Sequence, residues 1–131
     1  MQILLDASAI MAVIVNEQNK ELVIKLTKGS HLLSSKVITY EIGNALISLY
    51  KRHRLTKNEV INTYNFFEKI PIKILDINIS NALKISCTYN IYAYDAYYLE
   101  VAKRLNLPLL TFDVLMKKVA FDMNIKVLSE D

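Results

Sequence analysis

Five short, mostly apolar runs of strand length, separated by segments of helical period, limit what this chain can become. They are QILLD (Gln2 to Asp6), HLLSS from His31, IKIL from Ile72, PLLT from Pro108 and IKVL from Ile125. Each is too short for a helix, and apolar content without strict alternation fits strands covered on both faces. Between the runs the period changes. SAIMAVIVNE is apolar nearly all round, the mark of a buried helix with Ser8 as its cap. NKELVIKLTKG continues as an amphipathic helix ended by Gly29. Ile38, Ile42, Ala45, Leu46 and Leu49 make a helical stripe that closes on the basic cluster KRHR. Thr56 and Glu59 form a capping-box pattern opening a further helix, which ends before Pro71. NALKISCTY, AYDAYYLEVAKR and VLMKKVAFDM supply three more. Strands separated by helices predict one α/β domain over residues 1–131, with a mainly parallel central sheet and helices on both faces.

Composition narrows the functional classes. At 53% hydrophobic and 22% charged, 131 residues can bury a single sizeable core, unlike a disordered segment. The longest unbroken apolar run, Ala9 to Val15, is far too short to cross a bilayer and follows no basic leader, so a cytoplasmic location is expected. The lone Cys87 allows no internal disulfide and no cysteine-based zinc site, and its apolar surroundings predict a buried, inert thiol. A net charge of +3 permits a polyanionic partner without requiring one.

The carboxylates carry the chemistry. Asp6 ends the first strand and Asp113 follows the fourth, at the sheet edge where open α/β folds bind ligands. Asp95 precedes Leu99 and Ala102 by four and seven residues, so it shares a core-facing helical stripe. Glu41 sits between Ile38 and Ala45 in the same way. Such positions cost free energy unless the charge finds partners, and no Lys or Arg lies in the immediate motif of any of the four. If they converge, their repulsion raises their proton affinity, and a divalent cation keeps them ionised; all-oxygen ligands favour Mg2+ or Mn2+ over Zn2+. Taken singly, each has a plainer reading. Asp95 and Asp113 fit helix N-terminal acids, Asp6 a turn former, Glu41 a half-exposed helix residue, Ser8 a cap, and Asn44 a local backbone partner. The conjunction of two strand-end aspartates with two acids on core-facing helix positions favours a common site.

These residues also carry a resemblance. LLDASAIMAV, ITYEIGNAL and YAYDAYYLEVAKRLNLPLLTFD, in that order along the chain, resemble the motifs of PIN-domain ribonucleases of the VapC toxin type. The resemblance implies a three-layer α/β/α fold and RNA cleavage dependent on Mg2+ or Mn2+. It also implies a homodimer and inhibition by a cognate antitoxin. Carried over by motif, Asp6, Glu41, Asp95 and Asp113 are the catalytic and metal-binding acids, and Ser8, Asn44 and Thr111 are supporting polar groups. Lys51, Arg52 and Arg54 are candidate RNA contacts, although stabilising a helix C-terminus on a solvated face is the stronger reading. His53 is expected at the surface, and His31, opening a buried strand, is expected to pack or cap. Tyr92, Tyr94, Tyr97 and Tyr98 read mostly as packing or dimer contacts. Two other classes stay open. One is a catalytically silent PIN-fold module that binds a metal or partner. The other is a receiver-type phosphoacceptor built on Asp76, which leaves Glu41 and Asp95 unexplained.

Overall fold

The computed structural model describes residues 1–130. Four parallel strands form one sheet in the order β3-β2-β1-β4, with β1 at Gln2–Leu5, β2 at His31–Ser35, β3 at Ile72–Leu75 and β4 at Leu109–Leu110. Seven helices complete a three-layer α/β/α architecture: α1 (Ala7–Ile14), α2 (Lys20–Thr27), α3 (Ile38–Lys51), α4 (Lys57–Lys69), α5 (Ile79–Tyr89), α6 (Ala93–Arg104) and α7 (Val114–Asp122). The expected fold class therefore holds, with a sheet that is parallel throughout.

The central strands are apolar because both faces are covered. Ile3, Leu4 and Leu109 are fully buried, and Leu33 nearly so. β3 is the edge strand, and its middle residues Lys73 and Ile74 are exposed, a charge there discouraging pairing with another chain. α1 packs on α2 and α3, and α6 packs on α5 and against β2.

Four local expectations change. IKVL does not form a fifth strand; it makes one isolated bridge, Val127 to Leu109, through Leu109 N to Lys126 O (2.8 Å) and Leu128 N to Leu109 O (2.9 Å). β4 stops at Leu110 because Thr111 leaves the sheet for side-chain bonds, so one residue remains to pair. Asp6, not Ser8, caps α1, accepting from Ala9 N at 3.0 Å. Cys87 is exposed: α5 buries Ala82, and five residues on is about 140° round the helix. His31 is exposed at the outer end of β2, neither packed nor capping. The Thr56–Glu59 capping box is present with both reciprocal bonds.

Between β1 and β4 the strand order reverses direction: the chain builds β2 and β3 on one side of β1, then crosses to lay β4 on the other. In an open α/β sheet such a switch point opens a crevice at the carboxyl ends of the strands. Asp6 and the Thr111–Asp113 segment stand on its two walls.

Candidate active site

Asp6 is buried in its wall of this crevice, only 3% exposed. One carboxylate oxygen accepts from Ser8 Oγ (2.7 Å) and Ala9 N (3.0 Å), and the other accepts from Thr111 Oγ1. Ser8 Oγ also accepts from Phe112 N at 2.9 Å, and Thr111 Oγ1 from Asp113 N at 3.0 Å. Ser8 and Thr111 thus stitch the end of β1 to the loop after β4. Asp113 in turn caps α7, its Oδ1 accepting from Met116 N at 2.8 Å.

Asp95 lies in the first turn of α6 and Glu41 in the first turn of α3. Asp6, Glu41 and Asp95 each feel a neighbouring acid. Burial raises the proton affinity of Asp6 above the ordinary carboxylate range; bonds from Thr111, Ser8 and Ala9 oppose this, and the charge of Asp113 adds to it. Burial raises Glu41 likewise, opposed by the Tyr98 hydroxyl and reinforced by Asp6 and Asp95. Asp95 is pushed up to about 6, by burial first and then by Asp113 and Asp6. All four acids expected from sequence are therefore neighbours, and Ser8 and Thr111 join them.

The other expected groups sit further out. Asn44 is exposed on α3, one turn beyond Glu41. Both line a groove of about 580 Å³ that runs between α1 and α3, with Tyr40, Tyr94 and Phe112 near the acids and Arg52 at the end of α3. Arg52 donates to Ser48 O (3.4 Å) and Ser48 Oγ (3.2 Å). Lys51 and Arg54 line an adjoining hollow with the exposed His53. The tyrosines divide: Tyr92 and Tyr94 are exposed, Tyr97 is half-buried, and Tyr98 is sealed beneath the acids. Asp76 is exposed beyond the edge strand, 3.7 Å from Lys36, far from a buried phosphoacceptor's setting.

Does the donor set fit a divalent cation? The ion pairs among the described residues involve Lys25, Lys36 and Arg104, and none reaches the four acids. Glu41 Oε1 is buried without a hydrogen-bond partner. Desolvated carboxylates lacking a cation are what a hard metal ion would satisfy. Among the described residues no three His, Cys, Asp or Glu side chains already close into a cage.

Residues 3–122 match the sequence profile of the PIN domain. The chain belongs to the PIN domain family. This PIN domain is 26% identical over 118 residues to Ribonuclease VapC3 of Pyrobaculum aerophilum, spanning 86% of this chain and 90% of that one. In fold it is similar to PAE2754 of the same organism, with a TM-score of 0.72 and 23% identity over 91% of this chain and 79% of that chain. It is also similar to VapBC2 from Rickettsia felis, solved bound to a promoter DNA fragment. There the TM-score is 0.67 and the identity 14%, over 98% of both chains. No helix of the described residues is long and apolar enough to cross a membrane.

One feature of this PIN domain was missed from sequence. Glu100 is 3% exposed, held by Arg104 (2.7 Å) and Asn78 N (2.8 Å). Its signal was the Glu–Arg spacing of four on one helix. Tyr98 is 1% exposed and follows Asp95 by three residues, a spacing that places both on one face of α6.

Proposed function

We propose that this PIN domain is a metal-dependent endoribonuclease acting in the cytoplasm as the toxin of a toxin-antitoxin module. The observation that carries the reading is the approach of Asp6, Glu41, Asp95 and Asp113 to one another at the switch point, with no ion pair among the described residues reaching them. The relative named a ribonuclease, similar over nine-tenths of its length, supports RNA as the substrate. The Rickettsia neighbour, solved as VapBC2 on promoter DNA, supports pairing with a cognate antitoxin. A homodimer is the expected assembly.

Asp6 and Asp95 would hold Mg2+ or Mn2+ directly, and Glu41 and Asp113 through water. The bound ion would lower the pKa of a coordinated water and stabilise charge on the leaving oxygen. The chain's own part is positioning. Thr111, Ser8 and Ala9 N fix Asp6 in one orientation, and the α7 cap fixes Asp113. The groove along α3 would receive the strand, with Asn44 beside the cleavage point and Arg52, Lys51 and Arg54 meeting phosphates further along.

The test is cleavage of single-stranded RNA by wild type and Asp95→Asn, in Mg2+, Mn2+ and EDTA. Metal-dependent cleavage lost in the variant is expected. Equal cleavage by both proteins, or cleavage that survives EDTA, would overturn the assignment.

A further inference from the structure

Beneath the acids lie three polar atoms that the mechanism above does not use. Ser35 Oγ at the end of β2, Tyr98 Oη on α6 and Glu41 Oε1 on α3 are all buried, and none has a hydrogen-bond partner. Ser35 is wholly buried and Tyr98 nearly so. Orphaned buried polar atoms are uncommon, and three from three elements in one place call for a cause. Tyr98 neighbours the other two: its phenol lies within reach of the Glu41 carboxylate on one side and of the Ser35 hydroxyl on the other, and α6 packs against β2.

Their donor capacities allow one polarity. An ionised carboxylate only accepts, so the Tyr98 hydroxyl must donate to Glu41 Oε1. The phenol oxygen is then free to accept from Ser35 Oγ–H. All three atoms are satisfied by a chain running Ser35 to Tyr98 to Glu41. Tyr98 shares its helix face with Asp95, so the chain would also fix α3 against α6 under the site.

We infer that Tyr98 and Ser35 are positioning residues that hold the inner oxygen of Glu41, setting how its carboxylate meets a bound metal ion. The inference rests on the metal-site reading of the four acids.

Tyr98→Phe keeps the ring and removes only the hydroxyl. Mn2+ binding would be measured by calorimetry on wild type, Tyr98→Phe, Ser35→Ala, Glu41→Gln and the Tyr98→Phe/Glu41→Gln double variant, with melting temperatures in EDTA. Loss of an outer-shell partner typically weakens metal binding about 10-fold or more. Tyr98→Phe should show about that loss and Ser35→Ala a smaller one, with no fall in EDTA melting temperature. The double variant should bind no more weakly than Glu41→Gln alone. Wild-type Mn2+ affinity in Tyr98→Phe, or a loss that adds in full to that of Glu41→Gln, overturns the inference while leaving the metal site intact. Wild type that binds no Mn2+ overturns the metal reading and this inference with it. Should Tyr98→Phe melt well below wild type, Ser35→Ala decides: an unchanged affinity there refutes the chain.

Discussion

Replacing Asp95 with Asn should destroy RNA cleavage and yet stabilise the metal-free protein. Asp95 carries a pKa of about 6 against an ordinary 3.8 because burial and the charges of Asp113 and Asp6 penalise its ionised form. A difference of that size corresponds to about 3 kcal/mol between its two protonation states. Asp95 is half-buried, so solvent screening cuts this to roughly 1.5 kcal/mol. Asn also forfeits a favourable charge in the first turn of α6, worth about 0.5 kcal/mol. The net gain is about 1 kcal/mol, or roughly 3–4 °C in melting temperature for a chain of this size.

The pH dependence separates this cause from any generic effect of the substitution. Because the folded-state pKa lies above the unfolded one, folding takes up a proton between pH about 4 and about 6. The penalty is therefore absent below that window and fully present above it. Thermal melts in EDTA should show Asp95→Asn ahead of wild type at pH 8 and level with it near pH 4. Adding Mn2+ at pH 8 should raise wild type and leave the variant much less affected. If the variant melts at or below wild type at pH 8 in EDTA, or if the gap is the same at both pH values, the reasoning is wrong.

Other parts of the structure give equally direct expectations. Thr111→Val should leave Asp6 and Asp113 N each short of a partner, costing about 2 kcal/mol in urea unfolding and about 10-fold in Mn2+ affinity. Arg104→Met should cost about 2–3 kcal/mol by leaving buried Glu100 without its cation, and a double Arg104→Met/Glu100→Leu variant should recover most of that. Thr56→Ala should lose about 1 kcal/mol from the α4 cap in the same assay while RNA cleavage stays unchanged. Neutralising Lys51, Arg52 and Arg54 together should raise KM for RNA and flatten its salt dependence, with kcat preserved.

The sequence was informative where one physical signal dominates. QILLD, HLLSS and IKIL became strands because nothing local competes with burial on both faces, and Thr56–Glu59 became a capping box because its bonds are local. It misled where a distant partner decides. IKVL had the composition of a strand, but β4 had already left the sheet to bring Thr111 to Asp6, more than a hundred residues away in the chain. Helix ends were obscured for another reason. With two glycines in the chain, Asn16, Asn90, Asn106 and Asn124 take the positive-φ positions after α1, α5, α6 and α7. Asn tolerates that conformation and was an available signal. Tyr98 and Ser35 offered none, since an unpaired buried hydroxyl is visible only once three elements are packed.

Helix capping was posed as the plainer alternative to a shared site, and in the structure capping and convergence occur together. Asp6 and Asp113 are the N-caps of α1 and α7, and Glu41 and Asp95 lie in the first turns of α3 and α6. Four helix N-termini thus converge on the crevice, each contributing partial positive charge toward a carboxylate. That field lets four acids share a site without a lysine or arginine, and so leaves their charge for an external cation. The offset is uneven. Asp6 and Asp113 each accept a backbone N–H, whereas among the described residues the Asp95 side chain accepts none, and Glu41 keeps a buried oxygen without a close partner. The two acids that do no capping are therefore the least compensated by backbone. The capped pair supplies the rigid frame of the crevice, and on the metal-site reading proposed above it is the uncapped pair whose charge an ion would meet.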